Sequence, residues 1–185
     1  MGAEEIPPST GRSRAREEWA SSGKSSSLPL SPSQLEQVAA VCYRVRGASV
    51  EFLLVRTRNG RWTFPKGGAE SGLTHSQAAA LEAFEEAGVH GRMEEAAFTQ
   101  YRRGKRINMQ EFGAGIVHAY LCEVLRLGTP QEANRNRTWF SAEKAKWQLR
   151  ENRTAENGAE MARVIDCAVA RIQGRTPMHS PEAKS

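Results

Sequence analysis

Residues 60–91 read GRWTFPKGGAESGLTHSQAAALEAFEEAGVHG, and no other stretch restricts the fold as much. Pro65 stops a β-type run at 62–64, a glycine-rich loop KGGAESG follows, and residues 74–87 take a helical pattern that Gly88 ends. Thr74 or Ser76 is the expected N-cap. Ala80, Ala83, Phe84 and Ala87 recur at i, i+3, i+4 and i+7, so one face of this helix is apolar and requires a sheet to pack on. Glu82, Glu85 and Glu86 are expected on the opposite face.

Those acids are poorly placed for helix stability. Glu85 and Glu86 sit near the negative end of the macrodipole, at a cost of about 0.3 to 1 kcal/mol each, and Glu82 with Glu86 is a like-charge i, i+4 pair. A divalent cation removes the conflict, because three carboxylates at i, i+3 and i+4 converge on one small volume. Glu82, Glu85 and Glu86 are therefore the expected metal ligands. Oxygen donors used together with substrate phosphates suit magnesium. Gly67 and Gly68 would let backbone approach a phosphate while Lys66 brings positive charge, which makes these three the expected substrate contacts in the loop.

The rest of the chain supplies the sheet. VAAVCYRV at 38–45 and VEFLLVR at 50–56 read as a β-hairpin, with further strands at 96–101 and 111–124 and a last one at TWF, 138–140. Helices are expected at 142–149 and 155–173, the second carrying Met161, Val164, Ile165, Ala168 and Ile172 at helical spacing. Residues 1–34, rich in Ser, Pro and charge, read as a disordered tail, 35–174 as one catalytic domain, and 175–185 as a flexible C-terminal tail.

The formal net charge of +5 favours anionic partners. Cys42, Cys122 and Cys167 have no CxxC or Cys/His spacing, so neither a zinc site nor a disulfide framework is indicated from them, and a reducing cytoplasm fits. No apolar run reaches membrane-spanning length, and no aromatic-interleaved RNP-type motif points to nucleic acid. The expected partner is a small anionic substrate, with the chain acting as a monomer or homodimer.

From Gly67 onward the stretch resembles the box of the Nudix hydrolases: a glycine, five residues, a glutamate, seven residues, then arginine, glutamate, an aliphatic residue, any residue, two glutamates, any residue, glycine and an aliphatic residue. Gly67, Glu82, Glu85, Glu86, Gly88 and Val89 keep that spacing. Leu73 stands where the family has its first glutamate, Leu81 where it has the arginine, and Ala83 is small for the aliphatic slot. In outline the resemblance extends over residues 38–173. It implies an α/β (α+β) fold, an α/β/α sandwich around a mixed β-sheet, and hydrolysis of a nucleoside diphosphate linked to another group with Mg2+ or Mn2+. It also implies a backbone carbonyl at or beside Lys66 in the metal shell and a further glutamate from a distant loop, for which Glu132 is the candidate. The RWTFPKG approach and the basic link YRRGKR look like those of the diphosphoinositol polyphosphate and dinucleoside polyphosphate branches.

The resemblance implies water attack at phosphorus, with Glu85, Glu82 and Glu132 all contenders for the proton-accepting carboxylate. Arg102, Arg103, Lys105 and Arg106, in the link between two strands, are expected to meet distal phosphates. Leu73 and Leu81 motivate one alternative, a Nudix-fold binding module with weak or absent catalysis that senses a phosphorylated ligand or a partner protein.

Overall fold

The computed structural model describes residues 36–102, 115–132 and 135–175. The expected N-terminal tail, residues 176–185 of the expected C-terminal one, and the segment containing Arg103, Lys105 and Arg106 lie outside them, whereas Arg175, expected in the tail, is helical. Among the described residues one mixed sheet is central. Strands β1 (Gln37–Arg46), β2 (Ser49–Arg56), β3 (Trp62–Thr63), β4 (Lys66–Gly68), β5 (Val89–Met93), β6 (Thr99–Arg102), β7 (Ile116–Leu127) and β8 (Arg137–Ser141) join it. The path runs β3-β2-β1-β7-β5, with β4 on β1, β6 on β7 and β8 on β2. β1 and β7 are parallel, with Val38 opposite His118 and Cys42 opposite Cys122, and the other pairings are antiparallel.

Strand β1 alternates between two cores, which is why its apolar run is continuous. Val38, Ala40 and Cys42 face helix α1 (His75–Ala87), whereas Ala39, Val41 and Tyr43 face the other layer. That layer is α2 (Ala142–Arg150) and α3 (Ala155–Arg175). Met161, Val164, Ile165, Ala168 and Ile172 are all buried there, as their spacing predicts. Helix on sheet on helix is the expected α/β/α sandwich. No helix among the described residues is long and apolar enough to cross a membrane.

Three local expectations need correction. Lys66–Gly68 is strand β4, not loop: its backbone pairs with β1, Gly67 opposite Val38, and no β-type side chain announces it. Strand β5 was not foreseen, because it starts immediately after Gly88 and contains Gly91 at a register shift. There a Cβ would come within 2.4 Å of the Glu123 carbonyl oxygen. Finally, the buried face of α1 is Ala78, Ala79, Ala83, Glu86 and Ala87, with Ala80 and Phe84 only half-buried. The alanines at 79, 83 and 87 are fully buried, and Glu86, expected on the opposite face, is buried with them.

Candidate active site

Helix α1 is fixed at both ends. Thr74 is the N-cap: its hydroxyl accepts the Gln77 backbone N–H at 3.2 Å while the Gln77 side chain accepts the Thr74 N–H at 2.9 Å. Gly88 closes the helix with φ of 60°, and a Cβ there would meet the Gly128 carbonyl oxygen at 2.4 Å. Arg137, from β8, donates to the Ala87 carbonyl and, at 2.7 Å, to the Gly128 carbonyl. Its guanidinium supplies a cation at the negative end of the helix. The dipole conflict read from the sequence is thus partly answered by the protein itself.

Glu82 and Glu86, one turn apart, look onto β4. A Cβ on Gly67 would fall 1.7 Å from Glu82 Oε1, so only glycine leaves room for this carboxylate. Gly68 has open space in the same place. Glu86 is 2% exposed. It accepts the Lys66 backbone N–H at 3.3 Å and pairs with Arg135 at 2.7 Å. Arg135 also holds Glu132 at 2.7 Å, and the Glu132 N–H donates to the Glu85 carbonyl at 3.0 Å, which ties that loop to the helix. The structure therefore brings Glu82, Glu85, Glu86 and Glu132 together.

Burial pushes the Glu86 carboxyl up to about 7; Arg135 opposes the rise and Glu82 adds to it. Burial likewise raises Glu82, helped by Glu85, Glu132 and Glu70 and opposed by Lys66. Carboxylates under such mutual repulsion favour the arrival of a cation.

A cleft of about 770 Å³ opens beside these acids, within the size range of small-molecule sites. Glu86, Glu132 and Lys66 are on its wall, whereas Glu82 and Glu85 are not. Facing the acids are Arg58, Arg61, Arg135 and Arg153, with Arg102 from β6 also on the wall. Of the expected distal-phosphate contacts, Arg102 is at the cleft and exposed, and the other three lie outside the described residues.

Sequence reasoning missed Arg135, Arg153 and Tyr101. Arg153 is positioned by donating to the Leu149 and Trp62 carbonyls, each at 2.7 Å. The Tyr101 hydroxyl on the cleft wall is buried without a hydrogen-bond partner among the described residues, and burial raises its pKa. Arg135 and Arg153 lie in no local motif, Tyr101 opens the YRRGKR link with no sign of its burial, and only the third dimension joins the three to the helix. Leu81 leaves the helix without its expected arginine, yet Arg135 delivers a guanidinium to Glu86 from a distant loop. Leu73 is exposed, and Glu70 is close enough to act on Glu82.

Clustered carboxylates thus lie beside a cleft lined by arginines, a setting that suits a phosphate-rich anion. The NUDIX domain model matches residues 35–163. The chain belongs to the Nudix family of pyrophosphohydrolases. Its structure is similar to that of a C. elegans Ap4A hydrolase in a binary complex, with TM-score 0.59 and 22% identity over 75% of this chain and 98% of that one. It is also similar to the NUDIX domain of Shewanella oneidensis NrtR complexed with ADP ribose, with TM-score 0.56 and 18% identity over 75% of this chain and 88% of that one. At these identities the likenesses show the fold.

Proposed function

We propose that this chain is a divalent-metal-dependent hydrolase acting on a pyrophosphate linkage in a phosphate-rich small molecule. The observation that carries the reading is the cluster of Glu82, Glu85, Glu86 and Glu132 at an arginine-walled cleft. A hard cation suits this donor set. The acids offer only oxygens, Gly67 is cut away to admit the Glu82 carboxylate, and burial leaves Glu86 in want of positive charge. Glu82, Glu85 and Glu86 would hold Mg2+ or Mn2+. When bound, the ion would neutralise phosphoryl oxygens and acidify water.

The chain's own groups account for the rest. Arg58, Arg61 and Arg153 provide positive charge for phosphates that lie away from the acids, and the Tyr101 hydroxyl offers a hydrogen bond that no group among the described residues uses. Lys66, Gly67 and Gly68 would meet the phosphates nearest the helix, and Arg102, Arg103, Lys105 and Arg106 the distal ones. Glu82, Glu85 and Glu132 are the contenders to take a proton from attacking water, and Glu85 and Glu132 both act on Glu82. Arg135 neutralises Glu86 and Glu132 until a cation competes for them. Catalysis is assigned to 35–174 of a cytoplasmic monomer or homodimer, and the flanking tails are dispensable.

Among substrates, the number of cationic side chains favours dinucleoside polyphosphates or diphosphoinositol phosphates over a nucleotide sugar. The similar C. elegans protein is an Ap4A hydrolase, which supports the first class, and ADP ribose on the NrtR domain supports nucleoside diphosphate derivatives more broadly. The Arg135–Glu86 pair, together with Leu73 and Leu81, favours one rival: a binding module whose metal shell is blocked by an arginine. A cleavage screen, with the phosphorylated products separated by anion-exchange chromatography, together with direct binding measurements, decides between them. Nucleotide sugars, ADP-ribose, dinucleoside polyphosphates, diphosphoinositol phosphates and nucleoside triphosphates are offered with Mg2+ and with Mn2+. Cleavage of the most phosphate-rich members supports the hydrolase, and tight binding without cleavage supports the module.

A further inference from the structure

A second group of metal-type ligands lies at the other end of α1. Glu36 precedes β1, His75 is the first residue of α1, and His118 is on β7, opposite Val38 in the parallel register. One ligand atom from each lies within 4.8 Å of the other two. His75 Nε2 is 3.3 Å from Glu36 Oε2, and the two imidazole rings lie 5.6 Å apart, centre to centre, tilted by 39° rather than stacked. All three side chains are half-exposed and open to a hydrated ion. The backbone holds the arrangement: the Glu36 carbonyl accepts the Ala69 N–H at 3.2 Å, and Gln37 pairs with Gly68 on one side and Val117 on the other.

We propose that Glu36, His75 and His118 form a site for a borderline-soft divalent transition-metal ion of the Zn2+ class, separate from the glutamate cluster. Two imidazoles and one carboxylate are the donors such ions take, with water completing a tetrahedral shell, whereas Mg2+ prefers oxygen alone. His75 and Glu82 are seven residues apart on one helix, a rise of about 10 Å, so the two sets cannot share one ion. The N-terminal end of α1 opposes a cation at His75. The Glu36 carboxylate beside Nε2 offsets that. Bound there, it staples the start of β1 and the start of α1 to β7, next to the loop that leads from Gly68 into the helix.

The test is Co2+ and Zn2+ binding to the full chain in a large excess of Mg2+, which occupies the oxygen-only cluster. The visible absorption of Co2+ reports imidazole ligation, and competition with a chromophoric chelator gives the Zn2+ affinity. We expect one ion per chain with tetrahedral-type Co2+ bands. His75→Ala and His118→Ala should each weaken Zn2+ by at least about 10- to 100-fold, since loss of an outer hydrogen-bond partner alone can cost that much. Glu85→Gln should leave the binding unchanged. Because both histidines are partly exposed, the melting temperatures of the metal-free variants should match wild type, which separates lost ligation from lost folding. Absence of a stoichiometric ion under excess Mg2+, or histidine variants that bind as tightly as wild type, would overturn the proposal.

Discussion

Replacing Glu86 by Gln should make the metal-free protein more stable at pH 8 and leave it no more stable at pH 5. In the fold the carboxyl is raised from an ordinary 4.5 to about 7. A raised acid is stabilising while protonated, so its contribution is complete below about 4.5 and is lost as pH rises through about 7. At pH 8 the ionised side chain costs the folded state about 3 kcal/mol, taking 1.36 kcal/mol per pKa unit. Gln keeps an acceptor for the Lys66 N–H but leaves Arg135 without its partner at 2.7 Å, which returns part of that gain. A net gain of about 1 kcal/mol raises Tm by about 2–4 °C for a chain of this size. Thermal melts in chelator at pH 5 and pH 8 read it directly. Added Mg2+ should raise the wild-type Tm at pH 8 and leave Glu86→Gln unmoved. A variant no more stable than wild type at pH 8 in chelator, or a wild type that does not lose stability between pH 5 and 8, would refute the reasoning.

Gly67→Ala should push the Glu82 carboxylate aside, because the new Cβ would lie 1.7 Å from Oε1; since the side chain can swing away, Tm should move little while turnover falls by about 100-fold, measured by cleavage-product formation alongside melting. Changing Arg102, Arg103, Lys105 and Arg106 to Ser or Gln should raise KM most for the most phosphorylated substrate and flatten its salt dependence between 0.1 and 1 M, where the Debye length falls from about 10 to 3 Å; equal effects across substrates would return these residues to the solvated surface. Deleting residues 1–34 should leave more than about half the activity, and a larger loss, or loss of soluble expression, would make that segment part of the domain.

What was legible in the sequence was whatever local chemistry announces. Thr74, Gln77 and Gly88 bracket α1 with cap residues, and the apolar runs of β1 and β2 meet at a glycine turn. Met161, Val164, Ile165, Ala168 and Ile172 mark the buried face of α3 by spacing alone. Glu132, chosen as the distant acid, does sit against the helix, held by a backbone hydrogen bond to Glu85. What stayed hidden was set by partners far along the chain. Lys66–Gly68 is a strand because β1 supplies its hydrogen bonds, not because of its side chains. Glu86 is buried alongside the alanines at 79, 83 and 87, whereas Phe84 is only half-buried. Arg135 and Arg137 compensate the helical acids from segments that carry no motif.

The central claim is that the acids on α1 work through a divalent cation to hydrolyse a pyrophosphate. Its most direct test is the initial rate of cleavage-product formation from the best substrate of the screen, titrated with Mg2+ and Mn2+, for wild type and for Glu85→Gln. The account predicts saturable metal activation of the wild type, no rate in chelator, and a turnover at least about 100-fold lower in Glu85→Gln with folding retained. A wild-type rate that ignores metal, or a Glu85→Gln enzyme as fast as wild type, would contradict it.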